Sequence, residues 1–179
     1  MNKFRFWAST LSLAALMSAG CFLISGQFTV SYEFDTPINV TSPTAVFGQL
    51  VDLSTESEYN DNKDKIETVS DLALLGQFTN TGAATSVEVW MVASPGAALT
   101  TDAAVRAAGQ RLWGPVALGS SETASVGWDQ SAQLFVGRQA LIDEIKGDGE
   151  FALYALGTTG TYSFRIENGA LIAVISAGK

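Results

Sequence analysis

The residue types that could perform chemistry in this chain are few. It contains one cysteine, Cys21, and no histidine, against eighteen aspartates and glutamates. The lack of histidine excludes a Ser-His-Asp triad, a Cys-His pair and a zinc site built on imidazole. Carboxylates, lysine, tyrosine and serine remain, but some acid pair lies close in any fold, so no pair is singled out. We therefore predict no catalytic residue, and keep a carboxylate-based hydrolase as an alternative.

One polar run offers the oxygen ligands that calcium prefers. The candidates fall at positions 1, 3, 5 and 12 of an EF-hand-like loop, and they are Asn60, Asn62, Asp64 and Asp71. Position 6 is Lys65, however, where the turn of such a loop needs glycine. A solvated helix face explains these residues, and an acidic turn explains a second candidate pair, Asp148 and Glu150. We predict no metal and no cofactor, with a structural calcium ion as the alternative.

Trp90 is the candidate for contact with a partner. Val87, Val89 and Met91 alternate on one face of a predicted strand, which leaves Trp90 on the face of Glu88. Either both faces of the sheet are covered at this point or Trp90 is exposed. Core packing is the usual outcome for tryptophan, and we expect it for most of those in the domain. An exposed Trp90 would instead mark an interaction patch.

The N-terminal stretch has the layout of a secretory signal, which would direct the protein out of the cytoplasm. Lys3 and Arg5 precede an uncharged, apolar run over residues 6–19, and small residues then lead to Cys21. The run Ser18-Ala19-Gly20-Cys21 resembles the lipobox of bacterial lipoproteins. The resemblance implies that Cys21 becomes the new N-terminus, that fatty-acyl chains such as palmitate are attached to it, and that these chains anchor the protein in a membrane.

Two other interpretations of this stretch stay open. Ser18 stands where leucine is usual in a lipobox, and residues 6–24 are uncharged over 19 positions, which is long enough for an uncleaved membrane helix. Ordinary signal cleavage would instead release a soluble protein in which Cys21 is a small buried residue. Phe22 follows the cysteine, and the absence of aspartate there implies, by the same resemblance, passage to the outer membrane.

Charge and cysteine content restrict the partners and the means of stabilisation. The formal charge is −8, and loss of Lys3 and Arg5 with the signal would make it about −10. Such a surface repels nucleic acid and disfavours docking on anionic lipid. With one cysteine no disulfide can form within the chain, so packing and hydrogen bonds must supply the stability.

The pattern of alternating apolar residues predicts a mainly β domain. We expect residues 1–20 to be the signal peptide, 21–26 the lipidated cysteine with a short tether, and 27–179 a single domain. About eight to ten short strands, separated by turns, predict an antiparallel two-sheet β-sandwich, immunoglobulin-like, with two or three short helical excursions.

Two hairpins and one central strand are expected from local patterns. The segments 72–79 and 87–93 should pair as a hairpin, and a second hairpin should turn at Asn168-Gly169, because that dipeptide suits a two-residue turn. Residues 171–175 are nearly all apolar and should form a central strand covered on both faces.

The remaining segments are assigned by periodicity and helix signals. Residues 38–41, between two prolines, suit a sheet edge, and 46–53 should be a mostly buried strand. Helices are expected on the surface over 54–67, weakly over 103–112, and with a clear apolar face over 134–145.

These patterns favour a lipid-anchored lipoprotein that acts as a non-enzymatic binding or structural module of the cell envelope. Its partner would be an envelope protein, a polysaccharide or a neighbouring copy, with Cys21 as the anchor and Trp90 as the contact residue. A carrier of an apolar ligand held within the sandwich is the main alternative, and a large apolar cavity would be its sign.

Overall fold

The last strand of the sandwich, β9 (Ser163–Ala177), is the backbone element on which one whole sheet is assembled. The computed structural model describes residues 26–35, 37–42, 46–93 and 96–178; the predicted signal peptide and Cys21 lie outside these ranges. Leu171, Ala173 and Ile175 of β9 are buried towards the other sheet, while Ile172 and Val174 on the opposite face are half-buried. The prediction of a central strand is confirmed, but its second face is covered only in part.

Nine strands in the described residues form two antiparallel sheets, which confirms the predicted mainly β, two-sheet sandwich. The five-stranded sheet has the order β1-β9-β4-β7, with β2 also paired to β9. The four-stranded sheet has the order β3-β8-β5-β6. The strands are β1 (Gly26–Glu33), β2 (Ile38–Thr41), β3 (Gly48–Asp52), β4 (Ile66–Asn80), β5 (Thr85–Ala93), β6 (Gln110–Leu118), β7 (Thr123–Val126), β8 (Glu150–Gly157) and β9.

The predicted hairpin at Asn168-Gly169 is wrong, because the chain bulges there without reversing. A two-residue turn of the expected type needs positive φ at both residues, and here Asn168 has a φ of 52° while Gly169 does not share the left-handed conformation. The pairing of β4 with β9 steps from Leu75 opposite Ala170 to Gln77 opposite Glu167, so two residues of β9 oppose one of β4. The strand therefore continues for 15 residues.

The predicted hairpin between β4 and β5 is also wrong, because the two strands lie in different sheets. Asn80, only 1% exposed, holds the connection between them. Its Nδ2 donates to the carbonyl oxygens of Ala83 (2.9 Å) and Gly119 (2.8 Å), and its Oδ1 accepts from the backbone N–H of Gly82 (2.9 Å). A buried side chain that satisfies this many backbone groups fixes the chain as an arch from one sheet to the other.

Four short helices interrupt the described strands, one more than the upper end of the expectation. They are α1 (Ser57–Asn60), α2 (Asp102–Ala108), α3 (Trp128–Leu134) and α4 (Arg138–Lys146). The helix expected over 103–112 ends at Gly109, whose Cβ-free backbone lies close to the carbonyl of Met91, and the next residues join β6. The helix expected over 134–145 is divided, because Phe135 leaves the helical path to bridge Trp113 in β6.

The segment between β3 and β4 departs from the prediction in two ways. The surface helix expected over 54–67 is a single turn, α1, between the 3-10 turns Leu53–Thr55 and Lys63–Lys65. The strand before it was expected to be mostly buried, but Phe47 is 41% and Leu50 54% exposed. Phe47 precedes β3, and within β3 Leu50 faces solvent while its neighbour Val51 is buried, because one face of this antiparallel strand is solvated. The short strand β2 does lie at a sheet edge as predicted.

Ser131 of α3 joins the helical side of the sandwich to both sheets. Its buried Oγ accepts from the backbone N–H of Leu74 in β4 at 2.7 Å and from Nε1 of Trp113 in β6 at 3.1 Å. Trp113 is fully buried and stacks on Phe78 with ring centres 5.7 Å apart, which confirms core packing for this tryptophan. Thus α3 closes one side of the sandwich, where it contacts β4 of one sheet and β6 of the other.

We predict that Asn80→Ala lowers the free energy of unfolding by about 2–3 kcal/mol, because several buried backbone groups lose their partner. Urea denaturation of the protein without residues 1–20, followed by tryptophan fluorescence, measures the change. Asn39→Ala, at an exposed position of β2, is the matched control and should change stability by less than about 0.5 kcal/mol. Equal midpoints for the two variants would show that Asn80 does not hold the arch.

Candidate binding cleft around Glu88 and Trp90

Glu88 and Trp90 lie on the outer face of the four-stranded sheet. Val89, between them in β5, faces the other sheet and lines the core. Trp90 is half-buried and Glu88 is only 6% exposed. The outer face of the sheet is therefore covered at this point as well, which is the first of the two arrangements expected from the sequence. The cover comes from α2, which contacts β5.

The carboxylate of Glu88 is held by three side-chain donors. Oε1 accepts from Nη1 of Arg111 at 2.8 Å, and Oε2 accepts from Nη1 of Arg106 and from Nε1 of Trp90, both at 3.2 Å. Burial by itself raises the pKa of Glu88, but the hydrogen bonds from Arg111, Trp90 and Arg106 outweigh it, so this pKa lies below its usual value. Glu88 is therefore ionised at neutral pH and unsuited to general-acid catalysis.

Arg106 connects α2 to two strands and covers Trp90. Its guanidinium carbon lies 4.9 Å from the centre of the Trp90 ring, a cation–π distance, and its Nη2 donates to the carbonyl of Gly157 in β8 at 3.0 Å. One face of the indole is thus occupied within the domain. Contact of Trp90 with a partner stays a prediction, and it would involve the part of the ring that Arg106 leaves uncovered.

Sequence reasoning missed both arginines. Arg106 belongs to a helix and Arg111 to the following strand, so no single periodicity relates them to Glu88. One signal was available: an acidic residue within an apolar strand needs cationic partners when it is buried. That signal predicts that Glu88 has cationic partners, but it does not identify which lysines or arginines they are.

An open polar hollow of about 370 Å³ adjoins this cluster. It is lined by the side chains of Glu88, Arg106 and Asp102 and by the turn after β8, residues 157–160. The hydroxyl of Tyr162 donates to Oδ1 of Asp102 at 2.6 Å. Burial first, and then this bond to Asp102, raise the pKa of Tyr162, so the phenol keeps its proton and orients the carboxylate. We call this hollow the outer cleft.

The outer cleft offers hydrogen bonds but no activated nucleophile. Thr158 and Thr159 contribute hydroxyl groups, Asp102 a carboxylate and Arg106 part of a guanidinium. Without a histidine in the chain, neither threonine has an imidazole base beside it. This combination suits a ligand rich in hydroxyl groups, which carboxylate, guanidinium and hydroxyl groups bind by hydrogen bonds.

The predicted calcium ligands do not form one loop. Asn60 ends α1, Asn62 donates its amide to the carbonyl of Glu58, Asp64 lies in a 3-10 turn and Asp71 lies within β4 opposite Val174. Within the described ranges, no three His, Cys, Asp or Glu side chains come together as a group that could hold a metal ion. The prediction of no metal, with structural calcium as its alternative, stays untested.

The space between the sheets bears on the apolar-carrier alternative. At the side formed by β1, β2 and β3, an apolar cavity of about 30 Å³ is lined by residues that include Phe34, Phe47 and Phe78. Sites for small molecules usually offer about 300–1,000 Å³. This cavity is far smaller, so the carrier function would require the flanking aromatic side chains to move apart.

Comparison with known proteins adds no family. No protein-family model matches the chain, and no curated protein sequence matches it. None of the helices in the described part of the chain combines the length and apolar character that crossing a bilayer requires.

We predict that Glu88→Gln destabilises the domain by about 2 kcal/mol at pH 7, because two arginines lose the charge between them. Since the pKa of Glu88 is lowered by folding, the carboxylate stabilises above the pKa of the unfolded chain, and this advantage is lost as pH falls through the folded value. Urea denaturation at several pH values between 7 and 3 should therefore show the wild-type and variant midpoints converging in acid.

Glu33→Gln, at an exposed carboxylate of β1 outside the cluster, is the control for a general effect of charge. A wild-type advantage over Glu88→Gln that does not change with pH would contradict a role for the ionised carboxylate.

Proposed function

We propose that this chain is an exported lipoprotein of the bacterial cell envelope, anchored by acylated Cys21, that acts by binding. The observation that carries the proposal is the spacing of signal and fold: the lipobox-like run ends at Cys21, and β1 begins at Gly26. Cleavage before the cysteine would remove residues 1–20 and leave every described strand intact. Several acyl chains on one residue make membrane attachment durable.

The binding surface we propose is the outer cleft with the adjoining edge of Trp90, and the ligand is an envelope polysaccharide. The hydroxyl, carboxylate and guanidinium groups of the cleft support this choice over an apolar ligand, for which the sandwich holds about 30 Å³. The partly exposed guanidinium of Arg106 and the carboxylate of Asp102 offer both donors and acceptors to vicinal hydroxyl groups. An envelope protein is the alternative partner for the same surface.

The anchor is tested by the intact mass of the protein purified from its native membrane. We expect residues 21–179 plus thioether-linked diacylglycerol, with or without an amide-linked acyl chain. Cys21→Ser should abolish this modification, because serine carries no thiol, and leave the protein with residues 1–20 attached. A native mass that retains residues 1–20 would indicate a membrane-spanning N-terminus, and a lipid-free mature mass would indicate soluble export.

The cleft is tested by titrating the purified domain with polysaccharide from the envelope of the producing bacterium. We predict that Thr158→Ala combined with Thr159→Ala weakens binding by roughly tenfold, because about two hydrogen bonds are lost. Thr68→Ala, at an exposed position of β4 outside the outer cleft, is the matched control and should bind as the wild type does. Equal affinities for all three proteins would exclude the outer cleft as the polysaccharide site.

A further inference from the structure

All lysines of the described residues lie at one end of the domain. Lys63 and Lys65 belong to the 3-10 turn before β4, and Lys146 ends α4. Lys63 and Lys146 line the same open hollow of about 580 Å³. The backbone carbonyl of Lys65 accepts from the N–H of Gly178, just beyond the end of β9. We call this end the base.

The chain also begins its first strand at the base. Gly26, the first residue of β1, pairs with Ala177 of β9, and Ala177 pairs on its other side with Ile66 of β4. Neighbouring strands are about 4.8 Å apart, so Gly26 lies within about 10 Å of Ile66. The start of β1 and the lysine-bearing turn thus occupy one continuous surface.

The tether proposed above is too short to hold the base far from a membrane. Five residue steps separate Cys21 from Gly26, and an extended chain spans at most about 3.5 Å per residue, or about 18 Å in all. The headgroup layer takes about 5–8 Å of that length on each side of a bilayer. With Cys21 acylated, Gly26 lies within about 13 Å of the headgroup surface.

The lysines of the base make no ion pair among the described residues, and Nζ of Lys146 donates to the backbone carbonyl of Glu67 at 2.9 Å. In the described residues the ion pairs are made by arginines, by Arg106 and Arg111 with Glu88 and by Arg165 with Glu167. Lysine side chains are long and flexible, and they extend towards a phosphate layer while their stems remain on the protein. The exposed Lys63 and Lys65 are positioned for this.

The base also carries carboxylates, and their presence determines which kind of lipid headgroup complements it. Asp64, Asp148 and Glu150 line the hollow together with Lys63 and Lys146. Because its lysines and carboxylates offset one another, the base has no excess positive charge to attract an anionic leaflet, and the negative net charge of the chain opposes such attraction. It complements a headgroup that carries a phosphate and an ammonium group, because each finds an opposite charge.

We propose that the base lies against zwitterionic phospholipid headgroups of the membrane that holds the anchor, with Lys63, Lys65 and Lys146 bound to their phosphates. This inference rests on the proposed lipid anchor. It orients the domain: Ser163 starts β9 at the opposite end, about 45 Å from Ala177 at roughly 3.3 Å per residue. The turn at residues 157–160, which lines the outer cleft, precedes Ser163 and lies at that far end.

The orientation is tested with the full, acylated chain in vesicles of phosphatidylethanolamine and phosphatidylcholine. Because the only cysteine of the chain is consumed by the lipid, one introduced thiol can be labelled uniquely. Thr68→Cys places a fluorophore near the base and Thr161→Cys places one at the far end, both at exposed positions. With headgroup-nitroxide lipids, we expect strong quenching at position 68 and almost none at position 161.

A second set of variants tests the lysines themselves. In the Thr68→Cys background, replacing Lys63, Lys65 and Lys146 by glutamine should reduce the quenching but not abolish it, because the tether still holds the base near the headgroups, whereas Arg165→Gln should leave it unchanged. Equal quenching at positions 68 and 161, or none at either, would overturn the orientation. Quenching that stays at the wild-type level after the triple replacement would overturn the phosphate contacts. The intact mass of each sample separates these results from failure of the anchor, since an unacylated mass overturns the proposed function and this inference with it.

Discussion

The five-stranded sheet depends on the backbone hydrogen bonds of β9. β4 pairs with it on one side, and β1 and β2 lie end to end on the other, with β1 opposite residues 170–177 and β2 opposite 163–166. The bulge at Asn168 and Gly169 falls in the gap between these two partners. A side chain at Gly169 would meet the ring of Phe34, and the backbone N–H of Phe34 donates to the Gly169 carbonyl. The Asn-Gly dipeptide thus lets one long strand accept two short ones.

The sequence predicted which segments form strands better than it predicted how those strands connect and pair. Alternation of apolar residues identified β1, because burial of one face imposes period two whichever strands are neighbours, and a continuous apolar run identified the central part of β9. It could not say which strands pair, and β4 and β5 were joined as a hairpin only because they are consecutive. β4 and β5 lie in different sheets because Asn80 holds the connection between them by donating to the carbonyls of Ala83 and Gly119. These carbonyls come together only in the folded chain. The long helix expected over 134–145 failed for a similar reason, since Phe135 is drawn to Trp113.

For the candidate site, too, the sequence predicted one part and not the other. The face occupied by Trp90 and Glu88 could be predicted from strand alternation, but the arginines that make a buried carboxylate tolerable could not. Glu88 binds α2 to the sheet through Arg106, and the same guanidinium borders the outer cleft. The shape of the cleft therefore depends on an ion cluster whose carboxylate is shielded from solvent while its two arginines stay partly exposed.

Pairing between β1 and β9 also sets the order in which the five-stranded sheet can form, because the chain is synthesised from its N-terminus. β1 is made first, whereas its partner is the last described strand, about 150 residues later, so the contact is among the least local the chain makes. Until β9 arrives, β1, β2 and one edge of β4 are unpaired strands, the kind of surface on which chains aggregate. Nearly the whole chain must then be available before this sheet closes, and until that point the unpaired edges have to be kept apart.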